Sequence, residues 1–77
     1  MFTVETESNQ TVVTILDTTG QMEDIEVIFD DYGVWMRQFD TKQNEYQLLF
    51  LMHNQWRSLI ASLDCTEGTY QIKERND

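Results

Sequence analysis

Seventy-seven residues make one domain, read here as residues 1–77, with a formal charge of -9 from 14 acids against five bases. A chain this short buries only about 60% of its unfolded surface, and Cys65, its single cysteine, excludes both an intrachain disulfide and a four-cysteine zinc site. The acidic balance disfavours direct binding to nucleic acid or anionic lipid, which carry the same sign of charge.

The chain opens with alternation. Phe2, Val4 and Thr6 interleave with Thr3, Glu5 and Glu7, which reads as a strand. This opening lacks the basic and apolar regions of a signal peptide. Ser8, Asn9 and Gln10 supply a turn. Residues 11–16 are β-branched apart from Leu16, which suits a pleated surface. Thr18, Thr19, Gly20 and Gln21 form the next turn, with Gly20 free to take positive φ.

The clearest alternation follows. Ile25, Val27 and Phe29 share one phase; Asp24, Glu26 and Asp30 share the other, together with Ile28. Asp31, Tyr32 and Gly33 mark a hairpin. Residues 34–39 return as its partner strand, and a polar loop over residues 40–44 leads to a strand over residues 45–52. There Tyr46, Leu48, Phe50 and Met52 occupy one face, with Leu49 and Leu51 on the other. A strand apolar on both sides is usually covered on both.

The period then changes. Trp56, Leu59, Ile60 and Leu63 fall at i, i+3, i+4 and i+7, one stripe of an amphipathic helix. Residues 54–64 are expected to be helical, with Asn54 as N-cap and Gly68 in the following turn. Residues 69–73 read as a last short strand, with Tyr70 and Ile72 facing inward. The expected class is α+β: an antiparallel meander of about five strands, packed against one helix over residues 54–64, with a short C-terminal strand. The helix stripe is expected on the sheet face opposite Leu49 and Leu51. Those two leucines then need cover from a half-barrel or from a second copy of the chain, and a homodimer is the expected answer.

Catalytic signals are sparse, and the chain reads as non-enzymatic without a cofactor. The single His, His53, has no second ligand spaced to join it. Cys65 follows the helix, where the negative end of the dipole raises a thiol pKa. About 16–18 Å of helix separates the two. The pairs Glu23-Asp24 and Asp30-Asp31 lack calcium-loop spacing, and their neighbours alternate across a strand. Gly20, Gly33 and Gly68 are isolated, so no phosphate loop is present.

Charge is the stronger signal. Eight carboxylates precede the first basic residue, Arg37: Glu5, Glu7, Asp17, Glu23, Asp24, Glu26, Asp30 and Asp31. Asp24, Glu26 and Asp30 share one side of a strand, where residues two apart rise about 6.6–6.8 Å. That is roughly twice the ~3.4 Å charge spacing along one DNA strand. A ladder of this kind can copy a row of phosphates, and Glu5 and Glu7 would widen it. Tyr32, in an acidic hairpin tip, supplies an aromatic anchor.

The partner-binding candidates are therefore Glu5, Glu7, Asp24, Glu26, Asp30, Asp31 and Tyr32. The expected partner is a protein with a basic, nucleic-acid-binding surface, which the chain would mask as a DNA mimic. In size and charge the chain is similar, as a group, to phage-encoded anti-CRISPR and anti-restriction proteins. That likeness is one of composition and shares no motif. The alternative is a structural or assembly subunit acting through an apolar homodimer or docking face. No apolar run reaches the ~20 residues that span a bilayer, so no membrane contact is expected. The expected location is the cytoplasm, or the host cytoplasm for a phage-encoded chain, where an unpaired Cys is at home.

Overall fold

The computed structural model describes residues 1–72. Five strands lie in chain order in one antiparallel sheet, β1-β2-β3-β4-β5. They are β1 Phe2–Thr6, β2 Thr11–Ile15, β3 Ile25–Phe29, β4 Val34–Asp40 and β5 Glu45–Leu51, followed by the helix α1 His53–Ala61. The sheet is open, so β1 and β5 are its edges.

Register assigns the faces. Cross-strand partners share a face in an antiparallel ladder, and three rows can be followed across the sheet. Val4, Val13, Val27, Met36 and Leu49 form the middle row of one face, called face A. Phe2, Ile15, Ile25, Gln38 and Gln47 form a second row. Thr6, Thr11, Phe29, Val34 and Leu51 form the third. The opposite side, face B, carries Glu26 opposite Arg37, Ile28 opposite Trp35 and Phe39 opposite Tyr46.

Each turn has a local cause. Glu7 N–H donates to the Gln10 carbonyl at 2.8 Å and closes the first hairpin. In the β2–β3 loop the Asp17 carboxylate accepts the backbone N–H groups of Thr19, Gln21 and Met22 at 2.7–3.0 Å. Gly20 supplies φ +76° there. The β4–β5 turn hangs on Asp40, whose Oδ1 accepts Lys42 N–H at 2.9 Å, and on Asn44 at φ 56°.

Gly33 serves a different purpose. Its φ is not positive, but a Cβ there would lie 2.5 Å from the Leu51 carbonyl oxygen and 2.6 Å from the Phe50 ring. Glycine lets β5 and the start of β4 approach, rather than providing turn freedom.

The helix departs from expectation in its bounds, its cap and its cover. It starts at His53 with Met52 as N-cap, and Met52 N–H donates to Gln55 Oε1 at 3.0 Å. Asn54 therefore lies inside the first turn and is not the cap. The helix ends at Ala61, and Asp64 takes the left-handed conformation at φ 68°. Trp56 meets Phe29 edge-on at 5.1 Å and 77°. Phe29 shares face A with Leu49 and Leu51, so the helix sits on the side of those leucines, not opposite them. Only the first part of the stripe packs. Leu59, Ile60 and Leu63 remain exposed, and no residue of α1 is fully buried.

The expected C-terminal strand is absent over residues 69–72; its last position, Lys73, lies outside the described residues. Tyr70 and Ile72 do not face inward but are exposed. The Tyr70 hydroxyl donates to the Thr66 carbonyl at 3.0 Å. This bond closes a local loop around Gly68.

The core is small. Val27, 5% exposed, and Val34, 0% exposed, are the buried apolar side chains among the described residues.

Candidate functional site

The acidic candidates do not form one ladder. Asp24 and Asp30 flank β3 at its two ends, and only Glu26 lies within it. Glu26 faces Arg37 across the β3–β4 register, and Arg37 Nε donates to its Oε1 at 2.9 Å. Arg37 also lies 5.0 Å from the Tyr46 ring centroid, a cation–π distance. Its guanidinium pKa is raised, first by the Glu26 hydrogen bond. The absence of bases before Arg37 in sequence is thus answered across the sheet at one position.

Asp30 is built into the hairpin. Its Oδ1 accepts Tyr32 N–H at 2.8 Å and Gly33 N–H at 3.0 Å, and its Oδ2 accepts Trp35 Nε1–H at 3.1 Å. These bonds favour the ionised carboxylate. Its pKa is lowered, chiefly by Tyr32 N–H, and the charge of His53 at the helix start acts in the same direction. Asp17 is held down to about 2, first by Met22 N–H and then by Thr19. Asp24 Oδ1 accepts Asp17 N–H at 2.9 Å. Asp17 and Asp30 each stand three residues before a glycine, a turn signal, whereas no such spacing marks Asp24 as an acceptor.

Glu5, Glu7, Asp31 and Tyr32 are exposed. Glu5 lies on face B, Glu7 follows β1, and Asp31 and Tyr32 form the β3–β4 tip, with Tyr32 79% exposed. Trp35, half-buried on face B, meets Phe50 at 4.4 Å. The carboxylates are therefore distributed over face B and the two ends of the sheet.

No cluster of three His, Cys, Asp or Glu side chains able to hold a metal occurs among the described residues. Cys65 is exposed, and its thiol donates to the Ala61 carbonyl at 3.1 Å. No helix among them is long and apolar enough to cross a membrane. A depression of about 420 Å³ at the loop end is lined by Met22, Glu23, Phe39, Asp40 and Lys42, among others. Asp40 is already occupied there by its own turn.

Face A has the opposite character. Across its three rows no carboxylate occurs; Asp40 and Glu45 enter only as a last pair beyond Gln38 and Gln47. Phe2, Val4, Ile15 and Leu49 are exposed on it. A shallow groove of about 230 Å³ runs over β3–β5, lined by Ile25, Met36, Gln38, Gln47 and Leu49, together with Arg37 and Leu48. The sequence phase identified Ile25, Val27 and Phe29 as the apolar side of β3. It did not show that other parts of face A, at Phe2, Val4, Ile15 and Leu49, would stay open.

Fold and surface together define a small α+β domain with an open antiparallel meander, exposed apolar side chains on face A and a smaller apolar group, Tyr46 and Leu48, exposed on face B. Residues 3–62 match the family described as Domain of unknown function (DUF8831), and the chain belongs to that family. The match takes in the sheet and the helix and stops at Ser62, the C-cap of α1. No curated protein and no solved structure matches the chain.

Proposed function

We propose that this protein is a non-enzymatic interaction subunit that binds through face A. One observation carries the reading: a five-stranded sheet presents three uncharged, largely apolar rows, and only the row of Phe29 has the helix against it. The chain exposes 6852 Å², against ~4,900 Å² for a compact monomer of its mass. Giving residues 73–77 the area of a fully extended chain, ~900 Å², still leaves a surplus above ~1,000 Å². A stable interface needs about 800 Å² per partner. That surplus belongs to the whole open fold; Phe2, Val4, Ile15 and Leu49 put part of it on face A, and exposed apolar patches on a small domain mark interaction sites. The reading places the protein in a reducing compartment such as the cytoplasm, which the unpaired Cys65 suits.

The test is association measured by cross-linking and sedimentation across a salt series. Apolar contact predicts little change between low and moderate salt, because screening acts on charge. Leu49 is 59% exposed, so Leu49→Asp should abolish association while leaving the circular dichroism spectrum intact. Association that survives Leu49→Asp refutes the reading.

A second reading, masking of a basic nucleic-acid-binding surface by a phage-type inhibitor, draws on the Asp31-Tyr32 tip. There an exposed acid and an exposed aromatic stand together. Asp24, Glu26 and Asp30 are unsuitable probes of it, since each has a structural hydrogen bond. Glu5→Lys, Glu7→Lys and Asp31→Lys alter exposed positions. This reading predicts that they abolish binding to a basic partner, and that the wild-type complex weakens steeply with salt.

A further inference from the structure

We infer that the occupant of face A is a second copy of this chain, and that the two copies exchange helix contacts, the exposed part of each α1 stripe lying on the sheet of the other while Trp56 stays on its own. The inference rests on the reading of face A as a binding surface, and it names the partner.

Three observations converge. The first is that two exposed apolar surfaces lie on the same side of the sheet. One is face A, where Val4 and Leu49 are exposed beside the half-buried Val13 and Met36. The other is the second half of the helix stripe, Leu59, Ile60 and Leu63, of which Leu59 is 44% and Ile60 48% exposed. A docking site for an unrelated protein needs one such surface. A two-fold interface uses the same surface on both copies, residue i meeting j and j meeting i, and a chain that carries face A and the helix stripe together can supply both sides of that contact. Trp56 holds the first turn of α1 against its own Phe29, and the rest of the stripe is left to meet something else. The groove lined by Ile25, Met36 and Leu49 can receive a side chain of that stripe.

The second observation is area. The surplus exposed surface of the whole chain, above ~1,000 Å², is large enough to include the ~800 Å² that each member of a standard interface buries. The buried apolar core holds only Val27 and Val34 among the described residues. Ordering one residue costs roughly 1–2 kcal/mol of backbone entropy, and most of the apolar side chains set against that cost, such as Val13, Ile25, Phe29, Met36 and Trp56, are only half-buried. A partner that adds core is the remedy open to a small chain without a disulfide.

The third is charge. Two copies at -9 each repel, yet the three rows of face A contain no carboxylate. The acids sit at the sheet ends and on face B, so a contact through face A keeps them in water and apart.

The test uses the full chain. Sedimentation equilibrium from low to high micromolar concentration is expected to show a dimer. A sample mixed from carbon-13-labelled and unlabelled chains is expected to give isotope-filtered inter-chain NOEs between the Leu59 and Ile60 methyls and those of Val13 and Met36. The double variant Leu59→Glu, Ile60→Glu should weaken the dimer by roughly 100-fold or more. If the chain were a monomer these exposed positions would tolerate the change with little shift in Tm. A monomer at high micromolar concentration overturns the inference. So does a dimer whose inter-chain contacts run from one β5 edge to the other. A monomer that still forms a salt-insensitive complex with another protein, lost on Leu49→Asp, sinks the helix exchange and leaves the function proposed for face A standing. Loss of both sinks both.

Discussion

Gly33→Ala tests the packing logic at the point where β4 begins. The added Cβ would lie 2.5 Å from the Leu51 carbonyl oxygen and 2.6 Å from two atoms of the Phe50 ring. Ordinary carbon contacts begin near 3.5 Å, so a displacement close to 1 Å is required. Neither neighbour can give way freely. The Leu51 carbonyl belongs to the backbone of β5, whose Leu51 pairs with Val34. The Phe50 ring is packed on Trp35 at 4.4 Å. Overpacking of this kind costs about 1–3 kcal/mol, and a backbone obstacle favours the upper part, about 2–3 kcal/mol. In a domain of this size that lowers Tm by about 10–20 °C. The informative controls are the other two glycines. Gly20 has φ +76° and nothing within 4 Å of a built Cβ, so Ala there meets only the left-handed penalty, about 1 kcal/mol. At Gly68 the nearest contacts are 3.4–3.5 Å from the Tyr70 ring, and Ala should change stability by less than about 0.5 kcal/mol. Urea denaturation followed by tryptophan fluorescence, at one fixed protein concentration because association shifts apparent stability, gives all three values. A Gly20→Ala variant at least as unstable as Gly33→Ala would refute the close-approach argument.

Trp56→Ala removes the edge contact with Phe29 and uncovers the row containing Val34. For a half-buried indole the loss should be about 1–3 kcal/mol, read as a lower urea midpoint. Arg37→Met breaks the Glu26 pair, whose side chains are 38% and 30% exposed. Solvent screening limits that loss to about 1 kcal/mol or less, and a drop above 2 kcal/mol would show that the pair is more buried in solution. Asp17 and Asp30 both titrate below their ordinary value of 3.8 in the folded chain, Asp17 at about 2. The stability they contribute is therefore full above pH ~4 and lost as pH falls toward 2. Asp17→Asn should flatten that acid limb of the urea midpoint against pH; an unchanged slope would mean the turn bonds are not formed in solution.

The meander was legible because its signals are local. Period-2 alternation around Ile25, Val27 and Phe29, the tip at Asp31, Tyr32 and Gly33, and the polar break at residues 40–44 place strands and turns without reference to distant residues. The helix stripe was legible for the same reason. Its start was misplaced because Asn54 has the better intrinsic cap propensity, whereas Gln55 reaches back to Met52 N–H. The C-terminal strand rested on two apolar residues, Tyr70 and Ile72, and one hydroxyl bond from Tyr70 to the Thr66 carbonyl is enough to bend that segment elsewhere. The roles of the carboxylates were not legible, since each depends on a partner that spacing does not reveal. Glu26 meets Arg37 eleven residues away through the register of β3 and β4. Asp30 reaches Trp35 past its own turn.

These assignments change what the net charge means. Alternation in β3 alone suggested a negative face set against a buried apolar one. The register instead shows an apolar face with the charge moved off it. Asp17, Asp24, Asp30 and Asp40 pin the loops at the two ends of the sheet, where a carboxylate can accept backbone N–H groups and remain hydrated. Glu26, the single acid within β3, points to face B and is answered by Arg37. Acids at these places serve turn formation and solubility whether or not a basic partner exists, so the charge does not single out a target. Solubility alone, however, would be better served by one or two carboxylates on face A, where Phe2, Val4, Ile15 and Leu49 meet water. Leaving those rows free of charge makes physical sense if something covers them, and the exposed half of α1 on a second copy is the complementary surface that this chain itself provides.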